Sequence, residues 1–186
     1  MSENIKVGFI GLGHMGKLMA GCILKAGYAL NIHDIRRGTG QSLEEEGAVW
    51  ANHPKEVAAR SDVVLTSLPG PKEVETVVLG VNGLFDGFQP GAGYIDTSTN
   101  APETMRKIAE MGMSRGFHVL DAPVSGGIFN AREGMLTVFV GGLKTDFDRY
   151  QGLLQAIGTN VVYMGSAGSG NITKLVNNTM MFINLL

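Results

Sequence analysis

The chain has 186 residues, of which 27 are glycine, 44% are hydrophobic and 17% are charged; glycine is usually ~7% and charged residues ~25%. That much apolar surface excludes a disordered or low-complexity chain, and glycines without a three-residue period exclude a collagen-like one. The net charge of −2 supplies no basic stripe for nucleic acid, and Cys22, the only cysteine, excludes an internal disulfide and a cysteine-rich metal site.

Residues 1–6 lack the apolar core of a signal peptide, and no apolar run reaches ~18 residues, so the expectation is a cytoplasmic chain with no membrane span. Short apolar runs then alternate with helical stretches, the pattern of parallel βαβ units. Strands are predicted at 5–10, 30–33, 63–67, 94–96, 119–122, 136–140 and 160–164. Helices are predicted at 15–26, 41–46, 54–60, 71–79, 101–113 and 145–156. Pro54, Pro71 and Pro102 stand where helices should begin, where a missing N–H costs nothing. Gly165-Ser166-Ala167-Gly168-Ser169-Gly170 reads as a hinge-like break before a last helix at 171–186.

Gly11-Leu12-Gly13-His14-Met15-Gly16 follows the first strand and opens a helix. In this pattern the glycines allow a tight turn, close approach to a pyrophosphate and close helix–strand packing, and the helix N-terminus faces the phosphates. The phosphates are expected over Leu12–Met15. Asp34 ends the next strand, where a carboxylate accepts from ribose hydroxyls and repels a 2′-phosphate, which favours NAD. Arg36 and Arg37 could instead grip that phosphate, so NADP stays open, as does a solvated loop.

Further along, Ser67-Leu68-Pro69-Gly70 and Asp96-Thr97-Ser98-Thr99 end strands, where ligands of open α/β sheets sit. Asp121-Ala122-Pro123-Val124-Ser125-Gly126-Gly127 is either a backbone nest for a small carboxylate or a tight turn. In Gly170-Asn171-Ile172-Thr173-Lys174-Leu175-Val176-Asn177-Asn178, Lys174 and Asn178 share one helix face. Lys174 is expected in the first turn, against the dipole and among the apolar Ile172, Leu175 and Val176, an odd place for a solvated lysine.

Together VGFIGLGHMG, DAPVSGG and GNITKLVNN resemble the β-hydroxyacid dehydrogenase family, which includes 3-hydroxyisobutyrate and 6-phosphogluconate dehydrogenases. The resemblance implies a Rossmann-type α/β fold, a doubly wound, mostly parallel sheet over residues 1–165. Residues 166–186 would then be the start of a long interdomain helix, with the family's all-helical second domain absent. It implies Lys174 as catalytic lysine and Asn178 as its partner. Ser125, Gly126 and Gly127 would bind the substrate carboxylate, and Leu68, Pro69 and Thr99 would touch the cofactor. Cys22, Glu73 and Asn130 depart from the family pattern, and Asn130 would narrow or re-aim the pocket; the retained lysine argues against imine reductases.

The activity so implied is hydride transfer between NAD, or NADP, and a small 3-hydroxy acid, with Lys174 exchanging the hydroxyl proton. Alternatives are a cofactor-binding module with little catalysis and a sugar-phosphate dehydrogenase. The apolar residues Met180, Met181, Phe182, Ile183, Leu185 and Leu186 lead to the expectation of a homo-oligomer formed through the last helix, with little turnover by these 186 residues.

Overall fold

The computed structural model describes residues 5–184. The sheet begins with β1 (Lys6–Ile10), β2 (Ala29–His33), β3 (Val49–Trp50), β4 (Val63–Thr66), β5 (Gly93–Asp96) and β6 (His118–Asp121), all parallel and in the order β3-β2-β1-β4-β5-β6. That order reverses between β1 and β4, which places a ligand crevice at their carboxyl ends. Beyond β6, β7 (Val124–Ser125) pairs antiparallel with β8 (Thr137–Gly142), which itself pairs antiparallel with β6, and β9 (Asn160–Gly165) runs parallel to β8.

Alternation along the strands divides the core into two layers. Val7, Phe9, Val63, Leu65, Ile95 and Leu120 face one way, toward α1 (Gly16–Lys25), α2 (Gln41–Glu45) and α7 (Lys144–Leu154). Ile10, Val64, Tyr94 and Val119 face the other, toward α3 (Pro54–Ala59), α4 (Pro71–Leu79) and α5 (Pro102–Ser114). Pro54, Pro71 and Pro102 do open their helices. Gly8 is demanded by packing, since a Cβ there would lie 2.8 Å from a Val64 methyl and crowd Val57 of α3.

The expected α/β architecture and its mostly parallel sheet are present, with several differences of detail. β3 and β7 are two residues each, too short to show a period. α6 (Gly127–Arg132) is a helix where no element is predicted; Gly126 and Gly127 at its start take positive φ of 134° and 70°, and it buries only Ala131, so it shows no apolar stripe. The glycine-rich break is shorter than expected. Gly165 and Gly168 take positive φ, but Ser169 and Gly170 already belong to α8 (Ser169–Ile183), which packs on β8, β9 and β6. Gly170 is required there because a Cβ would overlap the Phe139 carbonyl of β8. Leu185 and Leu186 lie outside the described residues.

Candidate active site

The glycine loop sits at the sheet's switch point. Gly11 takes φ 93°, and a Cβ on it would overlap the Ser67 carbonyl at the end of β4. A Cβ on Gly16 would overlap the Gly11 carbonyl, so the first and third glycines let loop and helix close on each other. Gly13 differs: a Cβ on it would meet nothing within 4 Å. Beside that open space, the N–H groups of Gly13, His14 and Met15 take no acceptor among the described residues. They are donors for an anion at the start of α1.

Asp34 fixes this loop from β2. Its buried carboxylate accepts the Leu12 N–H at 2.7 Å through Oδ2 and the Arg36 N–H at 2.8 Å through Oδ1. Leu12 therefore spends its N–H on Asp34, leaving three of the expected four donors for phosphate. The two arginines part company. Arg37 forms two hydrogen bonds to Glu44, at 2.6 and 2.9 Å, and stacks 4.4 Å above Trp50, whereas Arg36 is exposed and lines the cleft. That cleft encloses about 890 Å³ and also takes in Gly11, Gly13, His14, Met15, Gly16, Asp34, Leu68 and Pro69. Its size suits a cofactor.

The remaining expected site residues lie outside this cleft. Thr99 is exposed and makes no described hydrogen bond; its neighbour Ser98 takes the contact instead, accepting the Leu68 N–H at 2.9 Å. Ser125 is half-buried, and its hydroxyl lies 3.5 Å from the amide of Asn177, not of Asn178. Asn130 packs on the glycine pair, since a Cβ on Gly126 would come 2.8 Å from its amide nitrogen.

Lys174 is 9% exposed and has no hydrogen bond or ion pair among the described residues. Because α8 starts at Ser169, the lysine stands in the second turn rather than the first, beyond most of the dipole's reach. Ile172, Leu175 and Val176 do not shelter it; they lie exposed on other faces. Burial alone pushes the Lys174 ammonium below the ordinary lysine value.

A buried polar chain, unforeseen in the sequence, joins the cleft to α8. From Ser98, which holds Leu68, the backbone N–H donates to Asp96 Oδ1 at 3.1 Å. Asn100 Nδ2 donates to Asp96 Oδ2 at 3.0 Å, and the Asn100 N–H donates to Asn171 Oδ1 at 2.7 Å. Asp121 then caps α8, accepting the Gly168 and Asn171 N–H groups at 2.7 and 2.8 Å. Burial raises both carboxyl groups, and these donors oppose it. Their signal in the sequence is an aspartate closing a buried strand, which must find donors nearby.

A family model, the NAD binding domain of 6-phosphogluconate dehydrogenase, matches residues 6–165. The chain is 39% identical to a probable mitochondrial 3-hydroxyisobutyrate dehydrogenase of Dictyostelium discoideum, covering 100% of this chain and 58% of that protein. It is 38% identical to an NAD-dependent L-serine dehydrogenase of Pseudomonas aeruginosa, covering 96% and 60%. The crystallised 3-hydroxyisobutyrate dehydrogenase of Mycobacterium tuberculosis with L-serine superposes at a TM-score of 0.88 and 29% identity, over 96% of this chain and 60% of that one. The chain thus spans about three-fifths of the length of these relatives.

Replacing Asp34 by alanine strips the Leu12 and Arg36 N–H groups of their charged acceptor. It should cost about 1.5–3 kcal/mol of stability and speed hydrogen exchange at those two amides. Unchanged exchange at Leu12 would show that Asp34 does not hold the loop.

Proposed function

Because the chain belongs to the family of the NAD binding domain of 6-phosphogluconate dehydrogenase, we propose that it binds NAD across the switch point and serves the oxidation and reduction of a small 3-hydroxy acid. One observation carries this reading: a buried lysine without a partner is tied, through Asn171, Asn100, Asp96 and Ser98, to the loops around the glycine cleft. Residues fit the cofactor at the glycine loop, where Gly13 leaves room and three N–H groups lack acceptors. When bound, the nicotinamide supplies the hydride chemistry.

The protein supplies the rest. Lys174 takes the hydroxyl proton during oxidation and returns it during reduction. Asn178, four residues on along α8, orients the hydroxyl or the amine. Ser125, Gly126 and Gly127 hold the substrate carboxylate, with Asn177 steadying the serine hydroxyl. Leu68 and Pro69 bound the cofactor cleft; Thr99 stands outside that cleft, and its exposed hydroxyl is free to reach toward the nicotinamide half of the cofactor. Support for the substrate class comes from the relatives named for 3-hydroxyisobutyrate and L-serine, both 3-hydroxy acids. Asp34 favours NAD, and Arg36, exposed at the cleft and only loosely paired with Asp34 at 3.6 Å, leaves NADP as a weaker ligand.

Among the described residues no helix is long and apolar enough to cross a membrane, and no His, Cys, Asp and Glu cluster could hold a metal ion. The lone cysteine supports a reducing, cytoplasmic setting. The outer face of α8, where Met180, Phe182 and Ile183 are 60–65% exposed, supports self-association through this helix.

Four measurements test the reading. Gly13→Val fills only open space, so melting should change by less than about 0.5 kcal/mol while calorimetric NAD affinity falls at least ~10-fold; unaltered affinity would move the cofactor elsewhere. In a preparation that turns over hydroxy acid, Lys174→Ala should lower kcat by about 10²–10⁴-fold with NAD affinity retained. Oxidation by the parent should rise with pH to a plateau below the ordinary lysine value of about 10.4, because the free amine is the base. Near-normal kcat in the variant would remove the lysine from the reaction. Sedimentation should show concentration-dependent association that Phe182→Lys weakens, and a strict monomer at all concentrations would refute the α8 contact.

A further inference from the structure

We propose that Asn171 is the positioning residue for Lys174, locking the helix that carries the lysine to the loop that ends β5. The inference rests on the reading of Lys174 as the proton-exchanging group. α8 turns an unusual face to the sheet: its buried residues are Gly170, Asn171 and Lys174. Asn171 and Lys174 are three residues apart and so lie on one stripe of the helix. Lys174 makes no bond of its own among the described residues, so its ammonium is placed only by where α8 is held.

Asn171 does that holding from both of its ends. Its side-chain Oδ1 accepts the Asn100 N–H at 2.7 Å, across 71 residues of sequence, and its own N–H donates to Asp121 Oδ2 at 2.8 Å. The residue is fully buried, so each of these bonds is made without competition from water. Asn100 in turn is fixed by Asp96, and Ser98 of the same loop accepts from Leu68 at the cofactor cleft. The lysine and the cleft are thereby indexed to the same short loop. Loss of the Asn171 amide leaves the Asn100 N–H unpaired in the interior and cuts the tie between α8 and the loop after β5. The start of the helix is then held only by its Asp121 cap and can shift enough to admit water to the lysine.

Several charged or titratable groups stand around this turn. β6 contributes Asp121; Tyr163, the titratable residue of β9, packs instead on Phe147 of α7, and its hydroxyl donates to the Gly142 carbonyl. α5 contributes Arg106, beside Gly168 and paired with Glu103 at 3.8 Å. β8 brings none. None of these pairs with Lys174.

The test is the pH profile of Lys174 acetylation by a small anhydride, read on its peptide by mass spectrometry, with Lys17 and Lys25 as internal controls. In the parent, the Lys174 midpoint should lie below those of the controls. In Asn171→Ala it should rise by about one unit, a tenfold loss of free amine below the midpoint, while NAD affinity stays within about twofold and the control midpoints do not move. Asn171→Leu keeps the side-chain volume and should behave the same, which separates the lost hydrogen bond from lost packing. A Lys174 midpoint unmoved in either folded variant overturns the proposal. A parent midpoint equal to the controls overturns instead the desolvated lysine on which the functional reading depends. If neither variant folds, hydrogen exchange on the parent decides: protection of the Asn100 amide together with the first turn of α8 supports the lock, and fast exchange at Asn100 refutes it.

Discussion

Buried carboxylates along one edge of the sheet hold the candidate site in place. Asp34 follows β2, Asp96 ends β5 and Asp121 ends β6, and all three are buried. A carboxylate in that position is costly unless donors meet its lone pairs. Each is met by backbone N–H groups of a segment at the carboxyl edge. Asp34 takes Leu12 and Arg36, Asp96 takes Ser98, and Asp121 takes Gly168 and Asn171. Thr66 Oγ1 and Asn100 Nδ2 fill the rest of Asp96, at 2.8 and 3.0 Å. The glycine loop, the loop after β5 and the start of α8 are thus fixed by directional, charge-assisted bonds rather than by apolar packing. Such bonds define position more narrowly than non-directional burial does.

That arrangement accounts for the reversed character of α8. An ordinary surface helix turns its apolar stripe to the core and its polar face to water. Here the inward face carries Gly170, Asn171 and Lys174, while Ile172, Leu175, Val176, Met180, Phe182 and Ile183 point out. Asp121 and Asn171 hold the helix down by its first turn, and Gly170 lets its backbone meet the Phe139 carbonyl. With the inner face committed to polar work, the outer face is left as apolar surface, larger than scattered surface residues would make it.

Much of the architecture was legible because it depends on local pattern. The alternating apolar runs located β1, β2, β4, β5, β6, β8 and β9 to within a residue or two, and three prolines marked three helix starts. What escaped was either too short or too distant. β3 and β7 have no period to read, and nothing local in β8 records that it runs antiparallel to β6. The glycine loop and Asp34 were readable as a motif because strand, turn, helix and acid follow one another closely. Asn171 was not: its partner lies 71 residues back, and only the fold brings Asn100 to it. Thr99 and Ser98 show the limit of motif reading in another way. Adjacent hydroxyls look alike in sequence, but only Ser98 reaches Leu68.

On the proposed reading of Lys174 as the proton-exchanging group, the same geometry decides where its reactivity would come from. Lowering a lysine from about 10.4 to ~7–8 takes roughly 4 kcal/mol. A helix N-terminus supplies about 0.3–1 kcal/mol, and mainly within its first turn. Lys174 stands in the second turn, so the dipole contributes less still, and no neighbouring cation acts on it. Desolvation is left as the operating cause, and it depends on how closely the inner face of α8 is pressed against the sheet. A lysine tuned by a fixed neighbouring charge would tolerate small movements of its helix, because Coulomb energy falls slowly with distance. A lysine tuned by exclusion of water would not, since one admitted water restores much of the lost solvation. On that proposed reading, the first-turn lock of Asp121 and Asn171 and the packing glycine at 170 belong to the chemistry as much as to the fold, because they hold the side of α8 that keeps the ammonium dry.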